Sequence, residues 1–140
     1  MWNAIRRFLE RLGGAEPLAP HLRLGRDGER AACRHLKKQG YKIVDRNVEL
    51  AGDEIDIVAM EGKTLCFIEV KTRRRETDGF RTDSNLTPAK KAHVVRAARL
   101  YVKRRRLYRM PRRYDFVGVV LTDGARPQVT LIRDAWRPSR

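Results

Sequence analysis

Apolar and polar positions alternate along the 140-residue chain with two different periods. Trp2, Ile5, Phe8, Leu9 and Leu12 recur at helical spacing and stop at Gly13-Gly14, which predicts a short amphipathic helix. Residues 14–20, with Pro17 and Pro20, read as a linker. Residues 1–20 are therefore expected to be an N-terminal helix and linker, and residues 21–140 a single domain. Across residues 24–39, Glu29, Ala31, Ala32 and Leu36 follow a helical pattern closed by Gly40, which predicts the first substantial helix. Residues 41–50 alternate in part, and residues 55–60 and 64–72 are rich in strand formers, with Glu61-Gly62 as the turn between the last two. Residues 73–86 are basic and carry no period. They end at Thr87-Pro88, an N-cap followed by a proline at the first helical position. The helix that follows runs to about residue 106, with Ala92, Val95, Ala98, Leu100, Tyr101 and Val102 on its buried side. Residues 113–121 and 128–133 close the pattern as strands. The expectation is an α/β domain in the order α-β-β-β-α-β-β.

The middle hairpin carries the candidate chemistry. With Glu61-Gly62 as a two-residue loop, Asp56 faces Phe67, and Glu54, Asp56, Val58, Met60, Leu65, Phe67, Glu69 and Lys71 share one face. The other face, Ile55, Ile57, Ala59, Cys66, Ile68 and Val70, is apolar and suited to the core. Asp56 and Glu69 become diagonal neighbours with Cβ atoms roughly 7 Å apart, a separation that one divalent cation, magnesium or manganese, bridges. Lys71 lies beside Glu69, where an ammonium orients water or stabilises charge on a phosphate. Two carboxylates and a lysine suit phosphodiester hydrolysis with a bound cation. The plainer alternative is a half-exposed Glu69–Lys71 ion pair, with Asp56 merely ending a hairpin.

Charge changes the picture of the partner. Thirty-two Lys and Arg against 17 Asp and Glu leave a formal net charge of +15, which concentrates polyanions around the protein. Arginine predominates and grips phosphate through two hydrogen bonds, although genome base composition also inflates its use. Arg73, Arg74 and Arg75 follow the E-x-K strand, and Lys90 and Lys91 open the second long helix, so all five are candidate nucleic-acid contacts. Lys90 and Lys91 oppose the helix dipole there unless an anion neutralises them. The basic runs at 103–106 and 109–113 lie at or beyond a helix C-terminus, where solvated cations are already favoured. Cys33 and Cys66 are far apart in apolar surroundings and read as buried thiols in a reducing compartment. No apolar run of about 18 residues exists, and the first segment lacks a secretory stretch, so the expected location is cytoplasmic, with no membrane partner. His21, His35 and His93 have no ligand spacing and are assigned no chemistry.

Three runs of residues add a resemblance. They are GRDGERAACRHLKKQGY at 25–41, NVELAGDEIDIVA at 47–59 and FIEVKTR at 67–73. Together they resemble the YraN family of endonuclease-like proteins over about residues 24–120. The resemblance implies a restriction-endonuclease-like core, with a mixed central sheet of about five strands flanked by helices, and a PD-(D/E)xK site related to archaeal Holliday-junction resolvases. Asp56, Glu69 and Lys71 match its motif residues, with Ile55 in place of the nominal proline. Glu29 matches the acidic residue of the first helix, where it holds a second metal or water; a solvated helix-face charge is the alternative. Asp53 and Glu54 leave the metal assignment open. Tyr114-Asp115-Phe116 resembles the family's R-[FY]-D run, and Asp115 is expected to be structural. The expected function is a Mg2+- or Mn2+-dependent endonuclease acting on branched or structured DNA. The rival is a non-catalytic nucleic-acid-binding module of the same fold, and a third reading is an adaptor that docks through the N-terminal stripe. Resolvase-like enzymes of this fold often dimerise, so a homodimer also belongs to the expectation.

Overall fold

A computed structural model describes residue 5, residues 20–74 and residues 86–138. The N-terminal helix and linker expected over residues 1–20 lie outside these, except for Ile5, which is helical and exposed, and Pro20. Helix α1 spans Pro20–Lys38 and starts earlier than the periodicity indicated, with Pro20 in the first helical position, where its fixed φ and missing N–H cost nothing. Strands β1 (Lys42–Leu50), β2 (Asp53–Glu61) and β3 (Thr64–Arg74) follow. Helix α2 spans Pro88–Arg105, and strands β4 (Arg112–Leu121) and β5 (Gln128–Trp136) complete the domain. At the start of α2 the Thr87 side chain accepts a hydrogen bond from the Lys90 N–H at 3.1 Å, as the Thr-Pro signal predicts.

The sheet order is β1-β2-β3-β4-β5. All neighbours are antiparallel except β3 and β4, which are parallel and joined by a crossover containing α2. The two helices cover opposite faces. Val94, Ala97, Ala98 and Tyr101 of α2 pack with Val58, Leu65, Phe67 and Phe116. Ala31, Ala32, Cys33 and Leu36 of α1 pack with Ile57, Ala59, Cys66, Ile68, Val117 and Val119. Burial on both faces is why β2, β3 and β4 read as nearly continuous apolar runs. Both cysteines are buried and free, and burial pushes the Cys66 thiol up to about 12. No helix among the described residues is long and apolar enough to cross a membrane.

Three details differ from the sequence expectation. Glu61 pairs with Thr64, so the β2–β3 loop is Gly62-Lys63 and not Glu61-Gly62. A turn with positive φ at its first central residue takes glycine there, and Gly62 has φ 59°. The pairing shifts by two residues, so the paired part of the hairpin keeps its parity, and the register carried one step past Ile57–Ile68 sets Asp56 across from Glu69. Ile55 does not stay with Ile57; it joins Val48, Leu50 and Val58 on the α2 side. Strand β3 also runs on to Arg74 because β4 continues to pair with it, so Arg73 and Arg74 stand on a strand beside Val120 and Leu121.

Asp115, fully buried, organises the α1 side of the sheet. It accepts hydrogen bonds from the Tyr41 hydroxyl at 2.7 Å, Arg113 Nε at 2.8 Å and the Asp134 N–H at 2.9 Å. Arg113 also donates to Glu61 at 2.7 Å, and Arg133 reaches the same carboxylate. The network ties the residues between α1 and β1 to β2, β4 and β5, which is the structural role expected of Asp115. Asp115→Ala leaves the Arg113 guanidinium and the Tyr41 hydroxyl without their shared acceptor, and should cost about 3–5 kcal/mol in urea unfolding. Asp115→Asn, which keeps an acceptor, should cost less.

Candidate active site

The candidate cluster lies where β2 parts from β3. Their ladder ends at Ile57–Ile68, while β2 stays paired with β1 as far as Asp53 and β3 stays paired with β4 as far as Arg74. The Val70 N–H, which would otherwise seek a carbonyl of β2, donates instead to Asp56 Oδ2 at 2.8 Å. A half-buried carboxylate thus replaces a strand carbonyl at the mouth of the wedge. Glu69, on the adjoining stretch of β3, is only 8% exposed.

Glu69 Oε1 lies 3.4 Å from the Lys90 ammonium, and Glu69 Oε2 is buried without a hydrogen-bond partner. Burial raises the Asp56 pKa to about 6; the Val70 N–H and Lys90 oppose the rise and the charge of Glu29 adds to it. Burial also holds Glu69 well above the usual carboxylate range, reinforced by the neighbouring Asp56. Burial alone would depress Lys90, but the charges of Glu69 and Asp56 outweigh it and raise the lysine. Both carboxyl groups thus keep a proton to higher pH than an ordinary carboxylate, and among the described residues Lys90 is the cation set against Glu69.

Glu29 reaches this region from the other layer. It is buried, and its charge is felt at Asp56. Its approach depends on Gly28, where a Cβ would collide with Thr72 Oγ1, so α1 comes close to β3 only because residue 28 has no side chain. Of the expected site residues, the structure thus brings Asp56, Glu69 and Glu29 into electrostatic contact. It leaves Lys71 exposed on β3, opposite Gly118, and sets Lys90 against Glu69 instead. The signal for Lys90 was its place in the first turn of α2, where a cation opposes the dipole and calls for an anion; that anion is Glu69.

The remaining cationic candidates are more dispersed. Arg73 and Lys91 are half-buried, Arg74 is exposed 3.7 Å from Asp123, and Arg75 lies outside the described residues. Asp53 is engaged by α2, 3.1 Å from Arg96 and 3.3 Å from His93, and the Arg96 hydrogen bond holds its carboxyl below the usual range. This removes Asp53 from the contest for a metal and gives His93 an ion-pairing position that sequence spacing did not reveal. Among the described residues no three His, Cys, Asp or Glu side chains are arranged to hold a metal ion by themselves. The oxygen donors of Asp56 and the unpartnered Glu69 Oε2 suit a hard cation, magnesium or manganese, that keeps water in most of its coordination sphere.

Comparison with known proteins gives a consistent family. A profile described as "Uncharacterised protein family UPF0102" matches residues 28–119, a span containing Glu29, Asp56, Glu69, Lys71 and Lys90. A UPF0102 protein of Dehalococcoides mccartyi is 43% identical over 111 residues, covering 79% of this chain and 90% of that protein. One from Geotalea uraniireducens is 38% identical over 122 residues, covering 87% and 95%. Another, from Geobacter sulfurreducens, is 36% identical over 114 residues, covering 81% and 88%.

Because folding raises the Asp56 pKa from 3.8 to about 6, the folded state holds this proton more tightly than the unfolded chain. The stability this contributes is present in acid and is lost as pH rises through about 6. Asp56→Asn should therefore stabilise the protein at pH 8 by about 1–3 kcal/mol, with the gain vanishing near pH 4, as read by urea unfolding at both pH values.

Proposed function

This chain belongs to the UPF0102 family, and from that premise we propose that its Asp56–Glu69 wedge is a metal-dependent phosphodiesterase site acting on DNA. The observation that carries the proposal is the adjacent carboxyl pair, half-buried Asp56 and buried Glu69, both held above the usual carboxylate range chiefly by burial, with Glu69 Oε2 lacking a hydrogen-bond partner among the described residues. Such an arrangement is unfavourable for the fold alone and is relieved by a cation.

In this reading Asp56 and Glu69 hold the ion, with the Val70 N–H fixing the orientation of Asp56. A bound Mg2+ or Mn2+ supplies a water of lowered pKa and neutralises phosphate oxygens. Glu29 orients water on the α1 side of the wedge. Lys71, exposed on β3, faces the phosphate and stabilises charge that develops on it. Lys90 serves as the counter-ion of Glu69 when no metal is bound, and becomes available to a phosphate oxygen when one is. The net charge of +15 supplies sequence-independent attraction to the DNA backbone, and branched or structured DNA is the substrate that the family resemblance favours.

One observation favours a second reading, a nucleic-acid-binding module without hydrolysis. Lys90, 3.4 Å from Glu69, supplies a counter-charge from within the chain, which gives the carboxylate a partner that hydrolysis does not require.

Labelled branched, single-stranded and duplex DNA should be cut only in the presence of Mg2+ or Mn2+. Asp56→Asn, Glu69→Gln and Lys71→Ala, purified identically, should each lower the rate about 100-fold or more. Salt-dependent binding without cleavage in any divalent metal would establish the module reading. Lys90→Met should bind Mn2+ several-fold more tightly than wild type in calorimetry at pH 8, since it removes the competing charge.

A further inference from the structure

Two adjoining cavities, of about 300 and 630 Å3, open along the outer side of α2 and share Arg99, Trp136, Arg137 and Pro138 as walls. Their α2 wall is one helical stripe, from Pro88 through Lys91 and Val95 to Arg99, about 16 Å long at 1.5 Å per residue. The smaller cavity starts one residue from Lys90, whose ammonium touches Glu69; the larger reaches Arg112 at the start of β4.

The lining is cationic, with Asp134 its one carboxylate among the described residues. Arg96 and Arg113 are committed to Asp53 and Asp115, and Arg137 shares an exposed pair with Asp134 at 2.7 Å. Arg99 and Arg112 are exposed and form no ion pair with a described residue. Trp136, only 7% exposed, stacks at 5.4 Å on Tyr114, and its buried Nε1–H has no acceptor among the described residues. A cationic trough whose arginines are exposed beside a rigid aromatic wall is complementary to a chain of anionic oxygens.

We propose that this groove carries the phosphodiester backbone of a nucleic-acid strand away from the Asp56–Glu69 wedge. The inference rests on the nucleic-acid reading above but not on catalysis. Arg99, Arg112 and Arg137 donate to phosphate oxygens. Trp136 lies too deep to stack on a base, so recognition is independent of sequence.

The test is anisotropy of a labelled 30-mer duplex in EDTA, which separates binding from cleavage, between 50 and 200 mM salt. Arg99→Gln/Arg112→Gln is compared with Arg30→Gln/Arg34→Gln, which removes the same charge from exposed positions of α1. The groove variant should lose at least tenfold in affinity at 100 mM salt and lower the slope of log K against log salt by about 1.8, whereas the α1 variant should lose less than threefold. Equal losses in the two variants would overturn the groove and leave only bulk charge. Displacement of DNA from the wild type by poly-glutamate at equal charge would assign the groove to an acidic protein instead. In a Trp2→Phe background Trp136 is the remaining tryptophan, and its emission should change on adding duplex and stay unchanged in the groove variant. If cleavage fails with metal while these results hold, the catalytic reading falls and the groove stands.

Discussion

The hydrogen bond from the Val70 N–H to Asp56 holds the centre of this molecule together while two of its strands separate. Antiparallel neighbours ordinarily share a ladder to their ends, and a strand that leaves its partner exposes unpaired backbone groups. Here β2 turns towards β1 and β3 continues along β4, and a side-chain carboxylate satisfies the donor left at the fork. The wedge this creates admits Glu69 from β3, Lys90 from α2 and the charge of Glu29 from α1. Glu69 and Lys90 therefore meet Asp56 where regular pairing of β2 with β3 stops.

Two buried elements make that departure sustainable. On one face Gly28 lets α1 approach β3 at Thr72, which is what brings Glu29 inward. On the other, α2 is held to the β1–β2 turn by Asp53, through Arg96 and His93, so its first turn stays over Glu69. On the α1 side of the sheet the Asp115 network is fully satisfied, with an acceptor for each cation and hydroxyl it meets. The contrast is informative: the structural carboxylate is saturated by donors, whereas Glu69 keeps an unpartnered oxygen. A buried carboxylate oxygen in that position calls for a donor, a water or an ion.

Much of this was legible in order of residues alone. The period-2 and period-3.6 patterns located both helices and all five strands, and Thr87-Pro88 marked the start of α2 as the structure has it. Binary patterning also placed Asp56 and Glu69 on one face, because moving the loop by one residue shifts the cross-strand pairing by two and leaves parity intact. What patterning could not supply was the exact partner across the hairpin. That was decided by the need for glycine at the positive-φ position of the turn, which gives Phe67 Val58 as its partner in place of Asp56.

The sequence by itself determined the elements, the faces they bury, the excess of positive charge and the identity of the acidic residues, since these follow from local periodicity and composition. Only the tertiary structure decided which cation meets Glu69. Lys71 is two residues away along the strand, yet it points into solvent; Lys90 is 21 positions on, and the crossover through α2 returns it to 3.4 Å. Spacing within a strand fixes which face a side chain occupies. The distance between charges on different elements is set by how the layers pack, and no local pattern carries that information.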